Sequence, residues 1–380
     1  MLFKNAQVLT KDFELKYADI SVCGSKIAAV GQGLSSASET FDLTGMIVVP
    51  GFVDIHIHGC AGFDTCDATA EALAGMAKHL VTQGVTSFCP TTMTLASEDI
   101  ESVLLNIRSC MESPPVGAAL LGVNMEGPYI SINKKGGQKG EFVKKPDWEQ
   151  FKRFYDLSGG IVKIVDIAPE CEGANEFIDK ACQLCRVSIA HTDADYATAS
   201  ASFKKGITHV SHLFNAMPGF SHREPGTVGA VFDDEHVAAE LICDGFHIHP
   251  ATVRVAFRIL GEDRTIIVSD SMRAAGLPDG TYDLGGQQVA VVDGHARLAD
   301  GTIAGSTTNI YEEIRNLLSY GVPFKQVIKS ATINPAKAIC EDDKIGSIEA
   351  GKLADLVVLD KDFNIKAVIA RGEIVEGNLL

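Results

Sequence analysis

Eight short runs rich in Val, Ile and Leu recur through the middle of the chain, most of them followed by a stretch with helical spacing. They read "FVDIHIH", "TSFCPTT", "LLGVNMEG", "IVKIVDIAPE", "RVSIAHT", "HVSHLF", "AAELICDG" and "TIIVSD". Amphipathic stretches such as "ATAEALAGMAKHLVTQG" and "ANEFIDKACQLC" separate them. This alternation constrains the fold more than any other feature, because a parallel neighbour strand is reached only by a crossover, which a helix supplies. Eight units of this kind predict an α/β protein built on a (β/α)8 TIM barrel. A doubly wound open sheet uses the same units, but its Gly-rich dinucleotide fingerprint after the first strand is missing.

Both ends of the chain read differently. "LFKNAQVLT", "YADISVCGSKIAAVGQG" and "FDLTGMIVVPG" at the start, and "GSIEAGKLADLVVLDKDFNIKAVIARGEIVEG" at the end, run near period two with Gly and Asp at the turns. Residues 1–48 and 344–380 are therefore expected to meet in one small β-sandwich domain, leaving 49–343 to the barrel.

Polar residues gather toward the C-terminal ends of the eight runs: His56 and His58, Glu126, Glu170, His191, His212, Asp244 and Asp270. Charged groups are rarely buried without a partner, and those strand ends form the catalytic face of a barrel. Residues i and i+2 of a strand share a face, so both imidazoles of "HIH" can address one metal ion. Imidazole with carboxylate suits Zn or Fe(II) better than Ca or Mg. His209 and His212 in "THVSHLF" stand three apart, which sends them to opposite faces of a regular strand; His212 is the candidate ligand and His209 a packing residue. Asp270 has two readings, a cap for the following turn or a group that moves protons between water and a leaving group. The second H-x-H pair, His247 and His249 in "DGFHIHP", reads on its own as ordinary hydrogen-bonded histidines. Arg223 in "GFSHREPG" is a loop arginine of the usually solvated kind, although its planar fork matches a phosphate.

Composition removes several classes. With 33 Lys and Arg against 49 Asp and Glu, the net charge of -16 sets up a field that repels nucleic acid and anionic membranes, so neither is an expected partner. No apolar run approaches the roughly 20 residues that span a bilayer. Ten cysteines without framework spacing, and a start "MLFKNAQVLT" lacking export features, point to the cytoplasm. Cys182 and Cys185 in "CQLC" have no companion pair and read as packing cysteines at a helix end. "KKGGQKG" lacks the spacing of a nucleotide-binding P-loop.

"PGFVDIHIHG", "GSIEAGKLADLVVLD" and the His, His and Asp between them resemble the amidohydrolase superfamily. Within it, "EGPYI", "KKGGQ", "AHTDA", "SHLFNAMPGFSHREPG", "CDGFHIHP" and "SDSMRAAGLPDGTYDLGG" look like the N-acetylglucosamine-6-phosphate deacetylase family, in order and over almost the whole chain. The resemblance implies metal-dependent removal of acetate from a sugar phosphate, with one or two divalent ions, Zn or Fe. It implies that Glu126, His191 and His212 hold the principal metal, that His56 and His58 hold a second, and that Asp270 is the general acid/base. It further implies that Asn215, Ala216 and Arg223 receive the phosphate, that His247 meets a sugar hydroxyl, and that Arg223 reaches the neighbouring subunit's site in a homodimer. Gln138 stands where many relatives carry a histidine that polarises the acetyl carbonyl. A superfamily hydrolase of cyclic amides or dipeptides would not need the phosphate loop, and a non-catalytic scaffold would not need the ligand set.

Overall fold

The computed structural model describes residues 1–35, 39–377 and 379; residues 36–38, 378 and 380, all inside the segments expected to form the terminal domain, lie outside the described residues. Each of the eight apolar runs contains a strand: β1 (Phe52–Ile57), β2 (Val85–Thr92), β3 (Val123–Met125), β4 (Val162–Ile167), β5 (Arg186–Ile189), β6 (His209–Val210), β7 (Ala238–Leu241) and β8 (Thr265–Ile267). Consecutive strands pair in parallel from β1 to β8. The amide of Asp270, just past β8, donates to the carbonyl of His56 on β1 at 2.9 Å and draws the two edges into a nearly closed barrel.

A helix follows each strand: α1 (Ala70–Val81), α2 (Ser97–Glu112), α3 (Trp148–Leu157), α4 (Ala174–Ala181), α5 (Tyr196–Lys204), α6 (Gly226–Asp233), α7 (Pro250–Arg264) and α8 (Ile310–Ser319), with two more, Phe324–Ala331 and Ile333–Ala338, after the last. Their starts obey local chemistry. Thr69, Asp147, Asp195 and Asn309 each accept a hydrogen bond from an amide in the first turn, satisfying a donor that the helix itself leaves free. Helix α1 buries Leu73, Met76, Ala77, Leu80 and Val81, the one-sided stripe that its sequence spacing predicts. Cys182 caps the C-terminal end of α4, and both Cys182 and Cys185 pack against the main core as side chains without a disulfide. Among the described residues, no helix is long and apolar enough to cross a membrane.

Strands from the two termini form one hydrogen-bonded sheet. Ile47–Pro50 lies antiparallel to Leu356–Leu359, with Val49 opposite Val357 and Val48 opposite Val358. Both strands are buried on both faces, and the period of two sorts their side chains between two cores. Val49, Val357 and Leu359 join the barrel's core, whereas Val48, Leu356 and Val358 join Phe3, Ile20, Ile27 and Phe41 in a core of the sheet's own. Far along the sheet, the amide of Ile27 donates to the carbonyl of Lys352 at 2.9 Å, so the sheet curls back on itself around that second core.

A three-stranded antiparallel insertion (Gly280–Leu284, Gln287–Val292 and His295–Arg297) separates β8 from α8, which the reading of eight units did not anticipate. Its two hairpin turns were legible. Gly285–Gly286 and Asp293–Gly294 are two-residue loops with positive φ at both positions, the conformation whose twist suits paired strands and which Gly and Asp tolerate.

Phe177 on α4 is wholly buried, with its ring 5.0 Å from Tyr129 and 5.1 Å from Phe151. It thereby packs α3 and α4 against the segment that follows β3. Phe177→Ala is expected to lower stability by about 3–5 kcal/mol, the usual cost of emptying an aromatic site, measured by urea unfolding; a loss under about 1 kcal/mol would show that the segment collapses to fill the space.

Candidate active site

Glu126 follows β3 directly and is buried. Four imidazoles converge on its carboxylate. Nε2 of His56, His191 and His212 lies 3.4, 3.1 and 3.0 Å from Oε1, and Nε2 of His58 lies 3.3 Å from Oε2. Two overlapping sets result, His56 with His58 and Glu126, and Glu126 with His191 and His212. In each set the donor atoms lie within 4.8 Å of one another.

Hydrogen bonding fixes which ring nitrogens face inward. His191 Nδ1 lies 2.8 Å from the carbonyl oxygen of Lys134, which only accepts, so Nδ1 carries the proton. The neutral ring then turns a bare lone pair on Nε2 toward Glu126. His56 repeats the arrangement, with Nδ1 2.8 Å from Glu240 Oε2 and Nε2 without a hydrogen-bond partner. A lone pair facing a carboxylate is repulsive, and either a proton or a cation between them removes the repulsion. Buried donors of N and O type, oriented by bonds behind them, fit a divalent cation.

Nearby carboxylates favour the protonated forms of His56 and His58. Burial opposes a charge on His56, yet the carboxylates of Glu240 and Glu126 outweigh it and keep its pKa well above the ordinary histidine value. For His58 burial is likewise outweighed, here by Asp270 and Glu126, and the pKa is pushed up to about 10. Glu126 is held well below the carboxylate range by its histidines despite burial, and Asp270 is lowered by His58 and His56 despite the same penalty.

His191, His212 and Asp270 share a second property: each sits just past the end of its strand with φ of +43°, +30° and +46°. Left-handed backbone costs a side chain with a Cβ on the order of 1 kcal/mol, and such strain concentrates where structure serves function. Here it swings each side chain out of the pleat and into the barrel mouth.

The mouth opens into a cavity of about 510 Å³ lined by His58, Glu126, Gln138, His191, His212 and Asp270, with Asn215, Ala216 and His247 on its wall. Leu284 of the antiparallel insertion and Thr302 and Ile303 beyond it close another side. Asp270 Oδ1 lies 3.2 Å from His58 Nε2. Gln138 is buried; its Oε1 accepts from the Thr94 amide at 2.7 Å, and its Nε2 donates to Glu126 Oε2. His247 Nδ1 is fixed by Asp244 at 2.7 Å. His249 points away, caps α7 and is exposed, so only the first member of that H-x-H pair faces the cavity. Arg223 is exposed and does not line the cavity of its own chain. Glu170 also lies outside, where it accepts bonds from Thr192 and the Asp193 amide, both at 2.6 Å.

Four buried residues of the network escaped the reading of the sequence. Glu240 accepts from His56 and from His209 Nε2, the latter at 2.9 Å, so His209 belongs to the polar network and is no mere packing residue. Strict alternation misled there because β6 spans only two residues and His212 is left-handed. Asp54 accepts from Ser269 Oγ at 2.5 Å, and Asp166 from Ser211 Oγ at 2.8 Å. Their signal was present: one acidic residue inside each apolar run of "FVDIHIH", "IVKIVDI" and "AAELIC".

The raised pKa of His58 has a sign for stability. Its folded value of about 10 lies above the roughly 6.5 of a free imidazole, so its contribution is complete below about 6.5 and is lost as pH rises toward 10. Protein treated with a chelator should therefore show a Tm that falls between pH 7 and 10, and His58→Asn should flatten that fall. Equal slopes in the two proteins would count against the electrostatic account.

Comparison with known proteins extends these observations. The amidohydrolase family model matches residues 47–375. Over 382 residues the chain is 36% identical to the N-acetylglucosamine-6-phosphate deacetylase of Bacillus subtilis (strain 168), covering 98% of this chain and 96% of that one. It is 33% identical to the N-acetylgalactosamine-6-phosphate deacetylase of Escherichia coli O157:H7, over 97% of each. A solved mutant of N-acetyl-D-glucosamine-6-phosphate deacetylase from Mycobacterium smegmatis, in complex with N-acetyl-D-glucosamine-6-phosphate, matches with a TM-score of 0.92 and 32% identity over 99% of both chains. Similarity of that extent, carried on the same barrel, makes one conclusion plain: the chain belongs to the amidohydrolase family.

Proposed function

We propose that this chain hydrolyses the acetamide of N-acetyl-D-glucosamine 6-phosphate to D-glucosamine 6-phosphate and acetate, a reaction of amino-sugar metabolism. The observation that carries the reading is Asp270, whose carboxylate lies 3.2 Å from His58 and opens on the same 510 Å³ cavity as the histidine and glutamate cluster. The deacetylases of N-acetylhexosamine 6-phosphates that resemble it over nearly their full length support the substrate class.

Family membership implies a divalent cation. In our reading Glu126, His191 and His212 would hold the principal one, Zn or Fe(II), and His56 and His58 would hold or help hold a second. When bound, such a cation supplies Lewis acidity that polarises the acetyl carbonyl and makes water a stronger acid. Side chains do the rest. Asp270, whose carboxylate opens on the cavity beside the cluster, takes a proton from the water that attacks the acetyl carbon. As the C–N bond breaks, it passes that proton to the sugar nitrogen, so acetate and the free amine depart. Gln138 lines the cavity with its Oε1 held by the Thr94 amide and its Nε2 near Glu126 Oε2 and Met93 Sδ; in our reading an amide N–H released from the weak Met93 contact is the neutral donor for the acetyl oxygen.

His247, steadied by Asp244, presents its other nitrogen to a sugar hydroxyl. The backbone at Asn215 and Ala216, the latter at φ +52°, receives the 6-phosphate together with Arg223 from a second subunit. An arginine exposed outside its own cavity suits that reach, so a homodimer is part of the proposal. All of these residues fall within 49–343, the proposed barrel domain, with 1–48 and 344–380 as its terminal companion. Ten free thiols support a reducing, cytoplasmic setting.

Acetate release from N-acetylglucosamine 6-phosphate, its galacto epimer and the unphosphorylated sugar tests the reading. The first should exceed the last by about 100-fold or more in kcat/KM, because two charged hydrogen bonds to phosphate are worth roughly 1.5–3 kcal/mol each. Arg223→Ala should shrink that preference. Indifference to phosphate would remove the phosphate loop, and faster turnover of the galacto epimer would transfer the assignment to it. Asp270→Asn should keep bound cation while losing about 10²- to 10⁴-fold in turnover; a near-normal rate would end its role.

A further inference from the structure

We propose that Glu240, held by His209, is a positioning residue for the His56 and His58 cation pocket, an inference that rests on the metal reading above. Glu240 lies on β7, is wholly buried and belongs to neither cation set. Three donors meet its carboxylate: His56 Nδ1 at 2.8 Å and the His212 amide at 3.3 Å on Oε2, and His209 Nε2 at 2.9 Å on Oε1. One side chain on β7 thus ties down a ring on β1 and the backbone of a residue just past β6, and those two residues fall in different cation sets.

The consequence for His56 is chemical as well as mechanical. An ionised carboxylate has no proton to offer, so it accepts from Nδ1–H and leaves Nε2, 3.4 Å from Glu126 Oε1, as the ring's free donor atom toward the pocket. Outer partners that fix the tautomer of a ligating histidine commonly account for 10- to 100-fold in metal affinity. An amide of the same shape has one acceptor where the carboxylate has two. With its oxygen on His209, its N–H group opposes the His212 amide and draws the ring proton of His56 to Nε2; with its oxygen toward His56 and His212, its N–H group opposes His209 Nε2–H, so in either orientation the hold on the His56 tautomer is weakened. Among the described residues the His209 side chain has one hydrogen-bond partner, Glu240, its Nδ1 being buried and unpaired.

A double-mutant cycle read by zinc binding tests this. Wild type, Glu240→Gln, His56→Asn and the double variant are stripped with a chelator and titrated with zinc against a competing indicator, with stoichiometry from elemental analysis. Glu240→Gln should weaken the weaker site by about 10- to 100-fold in the wild-type background, and by less than about twofold once His56 is Asn. An equal loss in both backgrounds, or none in the first, overturns the proposal, because a residue that merely props up the barrel weakens both alike. His209→Gln leaves the carboxylate in place and should cause a smaller loss with the same dependence on His56, which keeps the idea testable should Glu240→Gln not fold. Wild-type protein that takes up no zinc would overturn the metal reading itself, an outcome visible before any variant is made.

Discussion

A buried carboxylate that four imidazoles surround is the constraint on which the rest of this structure depends. Glu126 is 2% exposed, and an isolated charge at such a depth would be too costly to keep. The histidines that compensate it come from β1 and from the segments following β5 and β6, so a closed barrel is needed to bring them together. Strand order, the Asp270 amide that joins β8 to β1 and the cross-strand bonds that Asp54 accepts from Ser269, Asp166 from Ser211 and Glu240 from His56 all serve that meeting.

Rigidity of the site has two sources. One is strain: His191, His212 and Asp270 hold left-handed backbone conformations that only a well-packed surround sustains. The other is the set of bonds behind the rings, from Lys134 to His191, from Glu240 to His56 and from Asp244 to His247. Each places a proton on the outer nitrogen and leaves the inner one for chemistry. Orientation is thus settled before a substrate arrives, which is how a protein avoids spending binding energy on reorganisation.

Gln138 shows how a departure from the expected residue is absorbed. An imidazole at this position would carry one inward donor or acceptor, set by its tautomer. The amide instead bridges two partners at once, accepting from Thr94 and donating to Glu126, and so couples the rim of the cavity to the carboxylate at its centre.

Much of this was legible in one dimension. Apolar runs alternating with helical spacing determined a parallel α/β sheet, since parallel neighbours need a crossover, and the count of eight with no dinucleotide fingerprint favoured the barrel over an open sheet. Polar residues at the ends of those runs named the cluster, since burial excludes charge unless charges meet. The Gly-Gly and Asp-Gly turns of the insertion are legible in the sequence too, as two-residue hairpin loops between short alternating runs. What only the tertiary structure decided is which side chains meet and how they are turned. His209 joined the network and Glu240 appeared behind His56 because left-handed residues and a two-residue strand break the period of two. Periodicity is a property of regular backbone, and this site is built where the backbone stops being regular.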